Sequence, residues 1–297
     1  MIEMFRFRAG LIGGGVRECM VNQRTATICA VFRRSFYLET ADGGLACIGP
    51  AEIGAGPINM ICDLPGGIDW DARGLGLGDR TTISDHRIVV NGRYEFDFGD
   101  AKIWRPTTLP EHWTVAALIR GLDVLEDAAS TYDLSDGLSA KVRRDGATIA
   151  AADKAYDALC VWLMDALDNS IVEKSNPPHE IASLIGLGPG LTPSGDDLLG
   201  GALVALNMFG RQDAADCLAR WSLPIARRNT GKISNAHLAR AAKGEGADAL
   251  HRTIATIAGG NTAASETCLQ DIDAIGHSSG WDALAGAVAV MRWISQQ

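Results

Sequence analysis

This chain lacks the residue groupings that organise disulfide-bonded and zinc-bound proteins. Its seven cysteines, Cys19, Cys29, Cys47, Cys62, Cys160, Cys217 and Cys268, are odd in number and scattered, with no CxxC pair and no Cys/His cluster. A disulfide framework or a zinc site is therefore not expected, and a reducing cytoplasm fits. Long basic runs are also missing, and the net charge is −9. Nonspecific nucleic-acid binding depends on neutralising phosphates, so no nucleic-acid partner is expected; a local site for a small anion is compatible with the same balance. The longest apolar run, Leu198–Phe209, falls well short of the roughly 20 residues that span a bilayer. Arg6 and Arg8 interrupt the apolar core that a signal peptide would need. No membrane partner is expected.

What the chain does have is length and apolar content. Its 297 residues, 47% of them hydrophobic, suffice for one large domain or two ordinary ones. The first hundred residues read as short strands with frequent turns. Thr25–Phe32, Arg33–Thr40, Leu45–Ile48 and Ile58–Cys62 are strand-like, with a turn at Asp42-Gly43-Gly44. Arg87–Val90, Asn91-Gly92 and Arg93–Phe98 form the clearest hairpin signal. Gly13-Gly14-Gly15 reads as a flexible turn, and the glycine-rich stretch 64–79 as a long loop free to move. Trp104 reads as a core anchor. Prolines at 106 and 110 mark a boundary.

Beyond it the period becomes helical. Helices are expected at Val115–Ala129, 147–167, from 198 onward, at 213–226 with a bend or break near Pro224, and at 233–242, 250–258, 262–275 and 281–294. The fold class is α+β: a small antiparallel, barrel-like β domain over residues 1–108, then a mainly helical domain over 109–297.

The densest stretch is IGLGPGLTPSGDDLLGG, from Ile185 to Gly201. Gly186, Gly188 and Gly190 free the backbone to turn and expose its N–H groups. Thr192 as a cap with Pro193 at the first helical position, or Ser194 as a cap with Asp197 closing a capping box, would start a helix whose N-terminus attracts an anion. The spacing from Gly190 to Gly195 matches a nucleotide P-loop, but Asp196 stands where the phosphate-binding lysine belongs, so that reading is rejected. Gly200 and Gly201 inside the helix point to a close helix–helix approach.

Candidate site residues follow from this chemistry. Ser194, Asp196 and Asp197 are the candidate catalytic groups. Gly186, Gly188, Gly190, Thr192 and Gly195 would bind an anion, joined by Arg228, Thr230, Ser234 and Ser279 from later segments. An aspartate here would orient an amino group or hold a cation near Asp196/Asp197; no metal ligand set and no firm cofactor is read. His237, a single histidine among alanines and leucine, reads as a packed or surface residue rather than a base. Ser279-Gly280 repeats Ser194-Gly195 at a second helix start, with Asp282 close behind.

Three segments together resemble one known family. GLGPGLTPSGDDLLGG at 186–201, Thr230 and Ser234 followed by HLARAAKGE at 237–245, and GHSSGWDALAG at 276–286 are similar to the AllH-type subunit of bacterial oxamate carbamoyltransferase, as are GPAEIGAGPINM at 49–60 and the Trp104/Pro106 pair. The resemblance implies allantoin-type nitrogen catabolism. It also implies reversible carbamoyl transfer between oxalurate plus phosphate and oxamate plus carbamoyl phosphate. Two partner subunits are implied, one similar to a succinyl-CoA-synthetase subunit. Two other functions fit the residues: a non-catalytic scaffold or metabolite-binding subunit, and a free-standing amide or ureido hydrolase, which would need a metal-ligand set not seen here.

Overall fold

The computed structural model describes residues 4–144, 146, 148–168, 176–261 and 265–297. The chain divides into two compact units, Met1–Pro106 and Thr107–Gln297.

The first unit is a closed barrel. Its strands are β1 (Phe5–Ile12), β2 (Thr25–Val31), β3 (Phe36–Thr40), β4 (Leu45–Gly49), β5 (Asn59–Cys62), β6 (Arg80–Ser84), β7 (Arg87–Val90), β8 (Tyr94–Asp97) and β9 (Lys102–Ile103), with helix α1 (Gly14–Met20) after the first. The sheet runs β5-β4-β3-β2-β6-β7-β8-β1-β9, and β5 also pairs with β1, which closes the ring. Ring closure removes the exposed edges that an open sheet would leave. Most pairings are antiparallel; β1 runs parallel to β8 and β9, and β4 parallel to β5. Asn91 and Gly92, at φ 52° and 63°, turn the expected hairpin.

Side chains alternate in and out along the strands, as the period of two requires. Phe7, Phe36, Tyr94 and Phe96 gather around Trp70, which is fully buried. The Trp70 ring lies 5.2 Å from Phe36 and 5.5 Å from Tyr94, edge-on to both. Its indole N–H donates to the Arg34 carbonyl at 3.1 Å. The glycine-rich stretch 64–79 is thus irregular but anchored, because it carries the barrel's central side chain along with the buried Ile68 and Leu75. The expected flexible turn at Gly13-Gly14-Gly15 is instead the start of α1. A Cβ at Gly13 would meet the Pro57 carbonyl at 2.1 Å, so that position is closely packed.

The second unit is helical: α2 (Val115–Ala129), α3 (Ala150–Asp168), α4 (Ser194–Met208), α5 (Gln212–Asn229), α6 (Lys232–Ala241), α7 (Asp248–Ala258), α8 (Ser265–Asp273) and α9 (Ser279–Ile294). The expected starts at 147 and 262 lie outside the described residues. Helix α2 begins where Thr114 accepts a hydrogen bond from the Ala117 N–H at 3.1 Å. Helix α5 continues through Pro224 to Asn229, so the expected break does not occur. Helices α4 and α9 are apolar on nearly every side and lie at the centre, as helices without a polar face must. Among the described residues no helix is long and apolar enough to cross a membrane.

Candidate functional site

Helices α4 and α9 run side by side in the same direction, and glycine sets their separation. A Cβ at Gly201 would lie 1.7 Å from the Ala283 carbonyl oxygen, and one at Gly286 would lie 1.8 Å from that of Leu198. Only glycine allows two backbones so close. Gly200, by contrast, faces α6, where a Cβ would make ordinary contacts of 3.8 Å with Ala241 and 3.9 Å with Leu238. Of the two helical glycines expected to allow close approach, Gly201 does so.

The two helices begin with the same residue pattern. SGDDLLGG at 194–201 and SGWDALAG at 279–286 share the pattern S-G-x-D-x-L-x-G. Their contacts are reciprocal. Gly201 approaches Ala283 while Gly286 approaches Leu198, the equivalent residue. The Ser279 hydroxyl faces the Asp197 carboxyl, and the Ser194 hydroxyl faces that of Asp282. Ser194 is therefore turned toward α9 and does not cap its own helix. Helix α4 starts on Pro193, with no side-chain cap, and the Asp196 and Asp197 N–H groups donate to the Pro193 carbonyl at 2.9 and 3.1 Å.

Asp196 points the other way and is tied down. Its carboxylate accepts from the Gly186 N–H at 2.9 Å, from Ser234 at 2.6 Å and from Thr230. Those bonds join the glycine loop, α4, the end of α5 and the start of α6. Three donors on one buried carboxyl hold the surrounding segments in register. Gly186 has spent its N–H on this bond, and the Gly195 N–H donates to the Leu187 carbonyl at 3.0 Å. A Cβ at Gly195 would lie 1.9 Å from the Leu184 carbonyl. These two glycines serve the packing. Gly188 and Gly190, at φ 116° and 91°, form an exposed arch with Pro189 and Leu191.

Asp197 sits between the two helix starts. The residue is half-buried, yet one carboxyl oxygen exposes less than 1 Å² and accepts no hydrogen bond from the described residues. Burial pushes this carboxyl well above the usual carboxylate range; the Ser279 and Thr192 hydroxyls pull it back, while Asp282 and Asp196 push it further up. Thr192 and Ser279 also bond each other, oxygen to oxygen, at 3.0 Å. Asp282, fully buried, is likewise raised by burial, but it is supplied with donors: the Leu138 N–H at 2.6 Å and the Ser278 hydroxyl at 2.8 Å, with the Ser194 hydroxyl beside it. Gly137, at φ 60°, brings that peptide in; a Cβ there would strike Ser194 Oγ at 2.5 Å and Asp282 Oδ2 at 2.7 Å.

The structure thus gathers Gly186, Gly188, Thr192, Ser194, Gly195, Asp196, Asp197, Thr230, Ser234 and Ser279 around the starts of α4, α6 and α9. Gly190 lies on the exposed arch, and Arg228 is exposed in the last turn of α5, two residues before Thr230. Asp282, Ser278 and the Gly137-Leu138 peptide belong to the same cluster and were not among the expected site residues. The repeated octapeptide is the signal that points to Asp282; no local pattern announces Leu138. His237 is half-buried on α6, and burial lowers its imidazole to about 4, so it is neutral at physiological pH. No group of three or more His, Cys, Asp or Glu among the described residues is arranged to hold a metal ion. A cation near Asp196 would have to displace the donors already bound there.

Two family models match this chain. The model described as oxamate carbamoyltransferase subunit AllH matches residues 184–291, which include the glycine loop and both matched helices, and the AllH family N-terminal domain matches residues 12–103 in the barrel. Neither the curated proteins nor the solved structures provide a match.

Proposed function

This chain belongs to the AllH family, and from that premise we propose that it is the subunit of an oxamate carbamoyltransferase-like complex that holds the reacting carbamoyl group. In the proposed reaction a phosphate oxygen attacks the ureido carbon of oxalurate. The C–O bond forms, the C–N bond breaks, the phosphate proton passes to the departing nitrogen, and carbamoyl phosphate and oxamate result. The reverse direction uses the same groups.

Such a transfer requires anionic ends held still and the polar carbamoyl centre oriented. The N–H groups of Gly188 and Gly190 and the hydroxyls of Thr192 and Ser279 are the donors proposed for the anions, with Arg228 at the rim. The observation that carries the reading is Asp197: a carboxyl enclosed at the junction of two helix starts, with one oxygen left for a ligand. We place the activity in allantoin-type nitrogen catabolism, in a cytoplasmic complex with two partner subunits, one succinyl-CoA-synthetase-like. The seven free thiols suit a reducing compartment.

The test is phosphorolysis of oxalurate by the chain with its partner subunits, followed as carbamoyl phosphate. Asp197→Ala is expected to lower turnover at least about a hundredfold, the range seen when a preorganised polar group is removed, with the helical signal unchanged. Turnover equal to wild type removes the assignment. A scaffold role is favoured by one observation: Gly186, Gly195 and Asp196 are all used internally. Under that reading Asp197→Ala leaves turnover intact while Asp196→Ala disrupts assembly.

A further inference from the structure

The two matched helices differ in one respect that bears on the ligand. Each Asp in the pattern faces the serine of the opposite helix, Ser279 beside Asp197 and Ser194 beside Asp282. A hydroxyl from the same helix start stands by each as well: Thr192 is near Asp197, and Ser278 donates to Asp282 at 2.8 Å. Asp282 also accepts from the peptide N–H of Leu138 at 2.6 Å, which Gly137 makes room for. Asp197 lacks such a peptide donor: among the described residues none reaches one of its oxygens, which exposes less than 1 Å². The molecule thus contains a filled copy and an unfilled copy of one arrangement.

We infer that the open place on Asp197 receives the N–H of an amide or ureido ligand, as the Leu138 peptide N–H occupies the corresponding place on Asp282. A peptide is a secondary amide, so the filled copy displays the ligand group: planar, with an N–H aimed at a carboxylate oxygen. A buried acceptor without a partner is costly, and an incoming N–H removes that cost. Ketones and carboxylates of the same shape bring no such donor and leave the oxygen unsatisfied. Sites built around a polar partner reject analogues that lack it far more strongly than sites built on shape alone. Asp197 is thereby the residue that selects carbamoyl and carboxamide compounds over their isosteres. This rests on the reading of the cluster as the substrate site, and it goes further by naming the recognised group.

The experiment measures binding to the chain assembled with its partner subunits, by calorimetry or ligand-detected magnetic resonance. Matched pairs differing only in the N–H are used: oxamate against pyruvate, and acetamide against acetone. The wild-type protein is expected to favour the amide member at least about tenfold, the cost of leaving a buried acceptor unsatisfied. Asp197→Ala should abolish the preference. Asp197→Asn, which keeps the shape and the fold, should reduce it several-fold. Equal binding within the pairs, or a preference that survives Asp197→Ala, overturns the inference. Turnover assays on the same samples separate the two readings. Amide preference without carbamoyl transfer removes the proposed reaction and keeps the recognition. Transfer that persists in Asp197→Ala, with no amide preference, does the reverse.

Discussion

Adjacent glycines in α4 should respond to the same substitution with opposite signs. Gly201→Ala places a methyl group 1.7 Å from the Ala283 carbonyl oxygen, whereas an ordinary carbon–oxygen contact is about 3.3 Å or more. The obstruction is backbone, so no rotamer change relieves it, and α9 must retreat by roughly 1.5 Å from the densest contact in the core. Overpacking of this kind costs about 1–3 kcal/mol and occasionally more. Replacing glycine by alanine inside a helix returns up to about 1 kcal/mol, so a net loss of about 2 kcal/mol is expected. Gly200→Ala carries the same helical gain and meets only Ala241 and Leu238 at 3.8 and 3.9 Å. It should stabilise by about 0.5–1 kcal/mol. The two variants should therefore differ by about 3 kcal/mol, or roughly 6–12 °C in melting temperature for a domain of this size. Urea denaturation followed by helical circular dichroism reads the difference. Because α9 carries Ser279 and Asp282, Gly201→Ala should also lose the site, while Gly200→Ala retains it. A Gly201→Ala protein as stable as wild type, or a Gly200→Ala protein equally damaged, would refute the account of how the helices meet.

Asp196→Ala leaves the Gly186 N–H and the Thr230 and Ser234 hydroxyls without their acceptor; a loss of about 3–5 kcal/mol is expected, allowing for non-additivity, and urea midpoints check it. Asp197 behaves differently, because its folded carboxyl is raised above the unfolded value by burial and by the facing carboxyls of Asp282 and Asp196. Its contribution to stability is fully present below about pH 4 and is lost as pH rises through the folded value; Asp197→Asn should match wild type near pH 4 and exceed it near pH 8, and a pH-independent difference would count against the shift. His237 and His251, both lowered to about 4 by burial, hold protons in the unfolded chain that they lack when folded. Stability should therefore fall as pH drops from about 6.5 toward 4, and His251→Gln, measured by the same melts, should flatten that slope. Trp70→Ala removes the side chain around which Phe36, Tyr94 and Phe96 pack; a loss of about 3–5 kcal/mol in the barrel is expected, visible in near-ultraviolet circular dichroism.

The sequence by itself determined the two textures, since periods of two and of 3.6 are local properties of side-chain spacing. Asn91-Gly92 is enough to set a hairpin, and the apolar periodicity of Val115–Ala129 is enough to set α2. β1 was legible in principle, because FRFR alternates, but Gly10 and the arginines obscured it. The glycine loop, its two aspartates and the hydroxyls at 192, 230, 234 and 279 were also readable as one chemistry. Only the tertiary structure decided their division of labour. Whether a carboxylate is satisfied depends on donors brought from 34, 38 or 144 residues away, and no local pattern encodes that meeting. Asp196 and Asp197 are neighbours in the chain, but one helical step turns them some 100° apart. One meets three donors from the loop, α5 and α6; the other faces α9 and keeps a buried oxygen that no described residue bonds.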